Sequence, residues 1–117
     1  MPLRILAVAL LLILAGVPLA ADARGDAKKQ VEFGIAVAQR GLWREAIYRW
    51  ERAVEIDPTY AAAYNNLAIA FEHQGDFAKA RAAYERALEL QPNNVYLRQN
   101  YELFREISDR TASADAQ

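Results

Sequence analysis

The stretch GLWREAIYRWERAVEIDP (Gly41–Pro58) returns 34 residues later as GDFAKARAAYERALELQP (Gly75–Pro92). Gly41 falls on Gly75, Trp43 on Phe77, Ala46 on Ala80 and Trp50 on Tyr84. Glu51-Arg52-Ala53 falls on Glu85-Arg86-Ala87, and Pro58 on Pro92. A fixed period in this range means stacked supersecondary units, each unable to bury its own apolar face. Such arrays hold things; they seldom carry out chemistry.

Working outward, each unit reads as a helical hairpin. Trp43–Ile56 places Trp43, Ala46, Ile47, Trp50, Ala53 and Val54 at spacings of three and four. Gly41 closes the helix before it, expected over Ala27–Arg40, because glycine accepts the left-handed conformation at a helix end. Asp57-Pro58 stops the second helix, since the residue before proline avoids the helical region. The next unit is expected as Tyr60–Gln74, with Thr59 as N-cap, then Gly75, then Phe77–Leu90 capped by Asp76. A fifth helix, Val95–Ile107, presents Leu97, Tyr101 and Phe104 on its packing face. Small residues Ala46, Ala53, Ala80 and Ala87 lie where backbones approach. The aromatic residues fill the gaps between helices.

The pattern Gly41-x-Trp43-x-x-Ala46-x-x-x-Trp50-x-x-Ala53, ending at Pro58, resembles the second half of a tetratricopeptide repeat. Its counterpart runs from Gly75 to Pro92, and Tyr64-x-x-Leu67-Ala68-x-x-Phe71 resembles the first half. In the first unit Gln30 stands where an aromatic is usual. The resemblance implies an all-α, right-handed helical-hairpin solenoid. Its repeats would be 27–60 and 61–94, with a capping helix 95–107 and a disordered tail 108–117. It also implies that a partner protein or peptide lies on the face made by the first helix of each hairpin. On that face the 34-residue register aligns Ile35, Ile69 and Leu103, beside Val31, Asn65 and Gln99. His73 and Tyr96 complete the candidate contacts. The aliphatic row suits an apolar peptide or helix, with the amides free for backbone hydrogen bonds. The competing reading is that Ile35, Ile69 and Leu103 are half-buried between neighbouring first helices. One branch of the family grips a terminal carboxylate with Lys, Asn and Arg. Only Asn66 matches that set; Val31, Ile35, Tyr96 and Asn100 occupy the other positions.

Ahead of the repeats, 1–23 reads as a secretory signal. It has Arg4, the apolar run Ile5–Ala15, a break at Gly16 and Pro18, and Ala21-Asp22-Ala23 as the cleavage signature. Residues 24–26 form a short leader. The alternative is a retained membrane anchor, although Ile5–Ala21 has only 17 residues and contains proline, against about 20 for a spanning helix. The chain is therefore expected in the periplasm or secreted, or else anchored with its repeats extracytoplasmic.

Composition narrows the function further. The net charge is −1, which argues against nucleic acid. There is no Cys, so neither disulfides nor thiolate metal sites are available. His73 is the single His, and the only serines are Ser108 and Ser113, so no catalytic triad can be assembled. The carboxylates stand among arginines at helical spacing, as in Glu45–Arg49 and Arg81–Glu85, and read as solvated pairs. No cofactor, metal or enzymatic activity is expected. The reading is an adaptor or assembly factor. A weak hydrophobic-ligand binder is the further alternative, and homo-oligomerisation is left open.

Overall fold

The computed structural model describes residues 18–117, so Met1–Val17 of the expected signal lie outside the described residues. Five helices follow one another: α1 Pro18–Gln39, α2 Trp43–Ile56, α3 Ala61–His73, α4 Phe77–Leu90 and α5 Val95–Asp115. The described residues contain no strand. Hairpins α1/α2 and α3/α4 stack through α2 and α3, and α5 closes the array against α4.

The inner turns are set by the two glycines. Gly41 has φ +79° and Gly75 φ +77°, the left-handed region that a side chain resists. At each, two bonds close the helix end in a Schellman pattern. Gly41 N donates to Ala38 O at 2.9 Å and Leu42 N to Val37 O at 3.0 Å. Gly75 N donates to Glu72 O at 3.0 Å and Asp76 N to Phe71 O at 2.9 Å. The core runs along the array through Val31, Ala46, Trp50, Ala53, Leu67, Ala80, Tyr84 and Phe104. A smaller cluster of Ala61, Ala87 and Leu97 lies beside it.

Several expectations are corrected at the helix ends. Thr59 does not cap α3. Asp57 Oδ1 accepts from Thr59 N at 3.0 Å and Thr59 Oγ1 at 2.7 Å, so the Thr59 hydroxyl is spent on the turn. Tyr60 occupies the N-cap without a side-chain bond. Asp76 does cap α4, accepting from Lys79 N at 3.2 Å, and Asn94 does the same for α5 from Leu97 N.

The tail 108–117, expected to be disordered, continues α5 to Asp115. It contains no Gly or Pro, and its alanines favour helix. Thr111 and Ser113 bond back to the carbonyls of Ile107 and Asp109 at 3.0 and 2.9 Å. Likewise α1 does not start at Ala27. It is helical through the expected leader, where Arg24 pairs with Asp57, donates to Thr59 Oγ1 at 3.1 Å and lies 4.8 Å over the Tyr60 ring. The Arg81–Glu85 pair is replaced: Glu85 accepts from Tyr101 OH at 2.9 Å and Arg81 reaches Ser108.

Candidate partner groove

Helices α1, α3 and α5 present one face, with clefts between them. Because the side chains repeat every 34 residues, each row crosses the three helices at one phase. The aliphatic row splits: Ile35 is 41% and Leu103 59% exposed, whereas Ile69 is half-buried and packs on the core. The second row splits the other way. Val31 is buried beneath the Trp50 indole, whose Nε1 donates to the Val31 carbonyl at 3.1 Å. Asn65 is 3% exposed and its Oδ1 accepts from Asn100 Nδ2 at 3.1 Å, while Gln99 is exposed. Val31 and Asn65 therefore each expose only a sliver of surface.

Three clefts open along this face. One of about 300 Å³ lies between α1 and α3, lined by Ile35, Ala38, Trp43, Trp50, Asn66 and Ile69. It is the apolar one. A second, of about 390 Å³, opens at the start of the helices and includes Lys28, Val31, Tyr60, Asn65 and Tyr96. A third, of about 350 Å³, lies at their far end between Trp43, Ile69, His73, Phe77 and Ile107. His73 is exposed but held, stacked on Trp43 with ring centroids 4.2 Å apart. Tyr96 is 62% exposed at the opposite end.

The electrostatics are quiet. Glu72, on this face, accepts from Tyr84 OH at 2.9 Å. Burial first, and then that bond, push the Tyr84 hydroxyl well above the usual tyrosine range. Among the described residues no three His, Cys, Asp or Glu are grouped to hold a metal ion. Sequence reasoning missed the Asn65–Asn100 bond, the His73–Trp43 stack and the presence of Asn66 in two clefts. The adjacent amides Asn65-Asn66 inside an otherwise apolar helix were the available signal.

The repeat geometry meets an independent test in family models. Residues 61–94 match the tetratricopeptide repeat, and residues 34–75 match a TPR repeat. Residues 34–94 are tetratricopeptide repeats. Similar segments occur in Protein O-mannosyl-transferase TMTC1 of Mus musculus, 37% identical over 67 residues, or 57% of this chain and 7% of that protein. The Hsp70-Hsp90 organizing protein of Triticum aestivum is 38% identical over 63 residues, 54% of this chain and 11% of its own length. The chloroplastic tetratricopeptide repeat domain-containing protein PYG7 of Arabidopsis thaliana is 32% identical over 65 residues, 56% of this chain and 22% of its own. The chain thus spans less than a quarter of each of these relatives. No described helix is long and apolar enough to cross a membrane.

Proposed function

We propose that this tetratricopeptide array is a non-catalytic adaptor that receives an apolar segment of a partner protein across α1, α3 and α5. The observation that carries the reading is the apolar cleft between Ile35, Trp43, Trp50 and Ile69, in a chain that also leaves Leu103 and Tyr96 of α5 exposed. Aliphatic side chains left in water along one face mark contact surfaces. The cleft takes one bulky side chain; Gln39 and Asn66 line it with hydrogen-bonding groups for the guest's backbone. From the wheat relative we carry over protein binding, not the partners in its name. Of the carboxylate-gripping set only Asn66 is present, so a terminal carboxylate is not the proposed guest.

The test is the double variant Ile35→Ser/Leu103→Ser set beside Ile69→Ser. The double variant is expected to keep its melting temperature and lose the proteins that wild type captures from an envelope extract. Ile69→Ser is expected to lower the melting temperature, because Ile69 packs on the core. Unchanged capture by the double variant would overturn the reading.

A second reading, an uncleaved anchor, is favoured by α1 itself. The helix is unbroken across Ala23–Arg24, and Arg24 is fastened to Asp57 and Thr59. A peptidase needs extended chain, so removal of 1–23 has to precede folding of α1. The mass of the exported protein decides: a chain beginning at Arg24 supports export and cleavage, and one beginning at Met1 or Pro2 supports the anchor.

A further inference from the structure

Each second helix opens on an aromatic residue, Trp43 in α2 and Phe77 in α4, 34 residues apart and so at one phase of the repeat. The cleft of about 350 Å³ at the far end of the groove has both of them in its wall. Ile69 and Ile107 line it too, with Glu72 and His73 from the end of α3. It meets the apolar cleft, because Trp43 and Ile69 belong to both. His73 braces the indole, its ring 26° from parallel to it.

The charge in that wall has one sign. With His73 counted neutral, Glu72 is its only ionised group. Glu72 Oε2 accepts from Tyr84 OH at 2.9 Å, and among the described residues no lysine or arginine pairs with this carboxylate. The cations of the helices around it are engaged elsewhere. Lys79 pairs with Asp76 at 3.8 Å and Arg110 with Glu106 at 3.6 Å. Arg81 lies 5.5 Å over the Phe104 ring and Arg105 5.9 Å over that of Tyr101. Arg40 and Arg44, on either side of the first turn, are not in the wall. Glu72 also stands in the last turn of α3, the end of a helix where the dipole favours a cation over an anion. The cleft at the opposite end of the groove holds Arg24, Lys28 and Glu32, and so favours neither sign.

We propose that this cleft receives a basic side chain of the partner segment whose apolar residue fills the neighbouring cleft. The inference rests on the groove reading and narrows it: the guest carries arginine or lysine close to its bulky apolar residue. The cation would pair with Glu72 Oε1, the oxygen that Tyr84 does not use. Its aliphatic stem would lie on Ile69 and Ile107. Its charge would come beside the Trp43 and Phe77 rings, whose faces attract cations. Charge complementarity selects this occupant. An acidic guest residue would meet a like charge at the negative end of α3. An apolar one would cover the carboxylate without pairing it, which is costly.

The probes are acetylated, amidated peptides of about ten residues, each with a single leucine on a serine–glutamine carrier. One series places arginine within a few residues of the leucine, on either side. Matched series carry norleucine or glutamate at the same positions. Binding to the full chain is followed by fluorescence anisotropy, with amide NMR shifts to locate it. The best arginine peptide is expected to bind about tenfold tighter than its norleucine twin and to move the amides of Glu72, His73 and Phe77. Added salt is expected to weaken the arginine peptide and not the twin. In Glu72→Gln the amide oxygen can still accept from Tyr84. That variant is expected to keep the circular dichroism melt and to bring the arginine peptide down to its twin's affinity, with the twin unchanged. Ile35→Ser is expected to weaken both alike. Equal affinity for arginine and norleucine peptides on wild type would overturn this proposal and leave the groove reading standing, whatever Glu72→Gln does to the fold. Binding by neither would overturn both. The proposal also falls if the glutamate peptide binds as well as the arginine one, or if choline, a small quaternary ammonium, binds more tightly than either. A sedimenting dimer that Glu72→Gln dissolves would give the cleft to a second copy of the chain instead.

Discussion

In the first hairpin Gly34 faces Trp50; in the second, the same two positions hold Ala68 and Tyr84. A methyl group placed on Gly34 would stand 2.3 Å from Trp50 Nε1, a distance no side chain tolerates. The second hairpin accepts that methyl because its ring is smaller. The polar tips part company as well: the indole bonds inward to the Val31 carbonyl, the phenol sideways to Glu72. The same crossing is thus filled with two sets of volumes. What the repeat holds constant is the sum across the crossing, which is why either residue alone is a poor guide to its partner.

The largest expected effect tests whether the two hairpins carry equal weight. Ala53 and Ala87 are equivalent and both fully buried, but Ala53 sits in the main core and Ala87 in the satellite cluster beside partly exposed Leu88 and Leu90. Ala53→Leu is expected to cost about 3 kcal/mol and Ala87→Leu about 1–2 kcal/mol, by urea unfolding. Equal losses would erase the asymmetry. Next comes Gly34→Ala, expected to cost about 2 kcal/mol in the wild-type background and clearly less beside Trp50→Tyr. A double-mutant cycle without coupling would show that Gly34 is not small on account of Trp50.

The hairpin interiors were legible in the sequence because few solutions exist there. A left-handed turn wants glycine, so Gly41 and Gly75 fixed both turns, and α2 and α4 begin and end where Trp43, Phe77, Pro58 and Pro92 place them. Elsewhere several local bonds compete. The Thr59 hydroxyl could cap α3 or answer Asp57, and only the fold, which brings in Arg24, decides. In the groove, phase was readable and depth was not. Ile35, Ile69 and Leu103 share a phase, but exposure depends on which neighbour lies beside each. For Ile69 that neighbour includes core on both sides; for Leu103 there is nothing described beyond α5. Asn65 was legible as a groove amide and not as a buried one, because the bond to Asn100 joins residues 35 apart.

The Tyr84 hydroxyl offers a smaller effect and a pH signature that the Trp50 side lacks. Removing it in Tyr84→Phe is expected to cost about 1 kcal/mol at neutral pH. Its pKa is raised in the folded state, so the neutral phenol is the form the fold favours. The stabilisation is complete below the unfolded tyrosine value of about 10 and is lost as pH rises toward the folded one. Wild type should therefore weaken above about pH 10 more steeply than Tyr84→Phe. Parallel alkaline limbs would show that the phenol titrates as it does in the unfolded chain.

The smallest effect separates the two junctions that follow the hairpins. After α2 the junction is ionic: Asp57 is held by Arg24 and by Thr59. After α4 the equivalent position is Gln91, and the bonds are neutral or to backbone, from Asn94 Nδ2 to Gln91 Oε1 at 2.8 Å and from Arg98 to the Pro92 carbonyl at 2.6 Å. The Arg24 bond, then those from Thr59, hold the Asp57 carboxyl below its ordinary range. A depressed carboxylate stabilises above its unfolded value of about 4, and that stabilisation disappears as pH falls through the folded one. Half of the Arg24 side chain is solvent-exposed, so screening limits the pair to about 0.2–1 kcal/mol. Arg24→Gln should lose that amount at pH 7 and nothing once Asp57 is protonated in both proteins. Amide exchange makes the comparison internal: acid should loosen the first turn of α3, at Ala61–Ala63, before that of α5, at Val95–Leu97. Simultaneous loosening, or a cost of Arg24→Gln that persists in acid, would mean that the first junction is held by the Arg24–Tyr60 stack and not by charge.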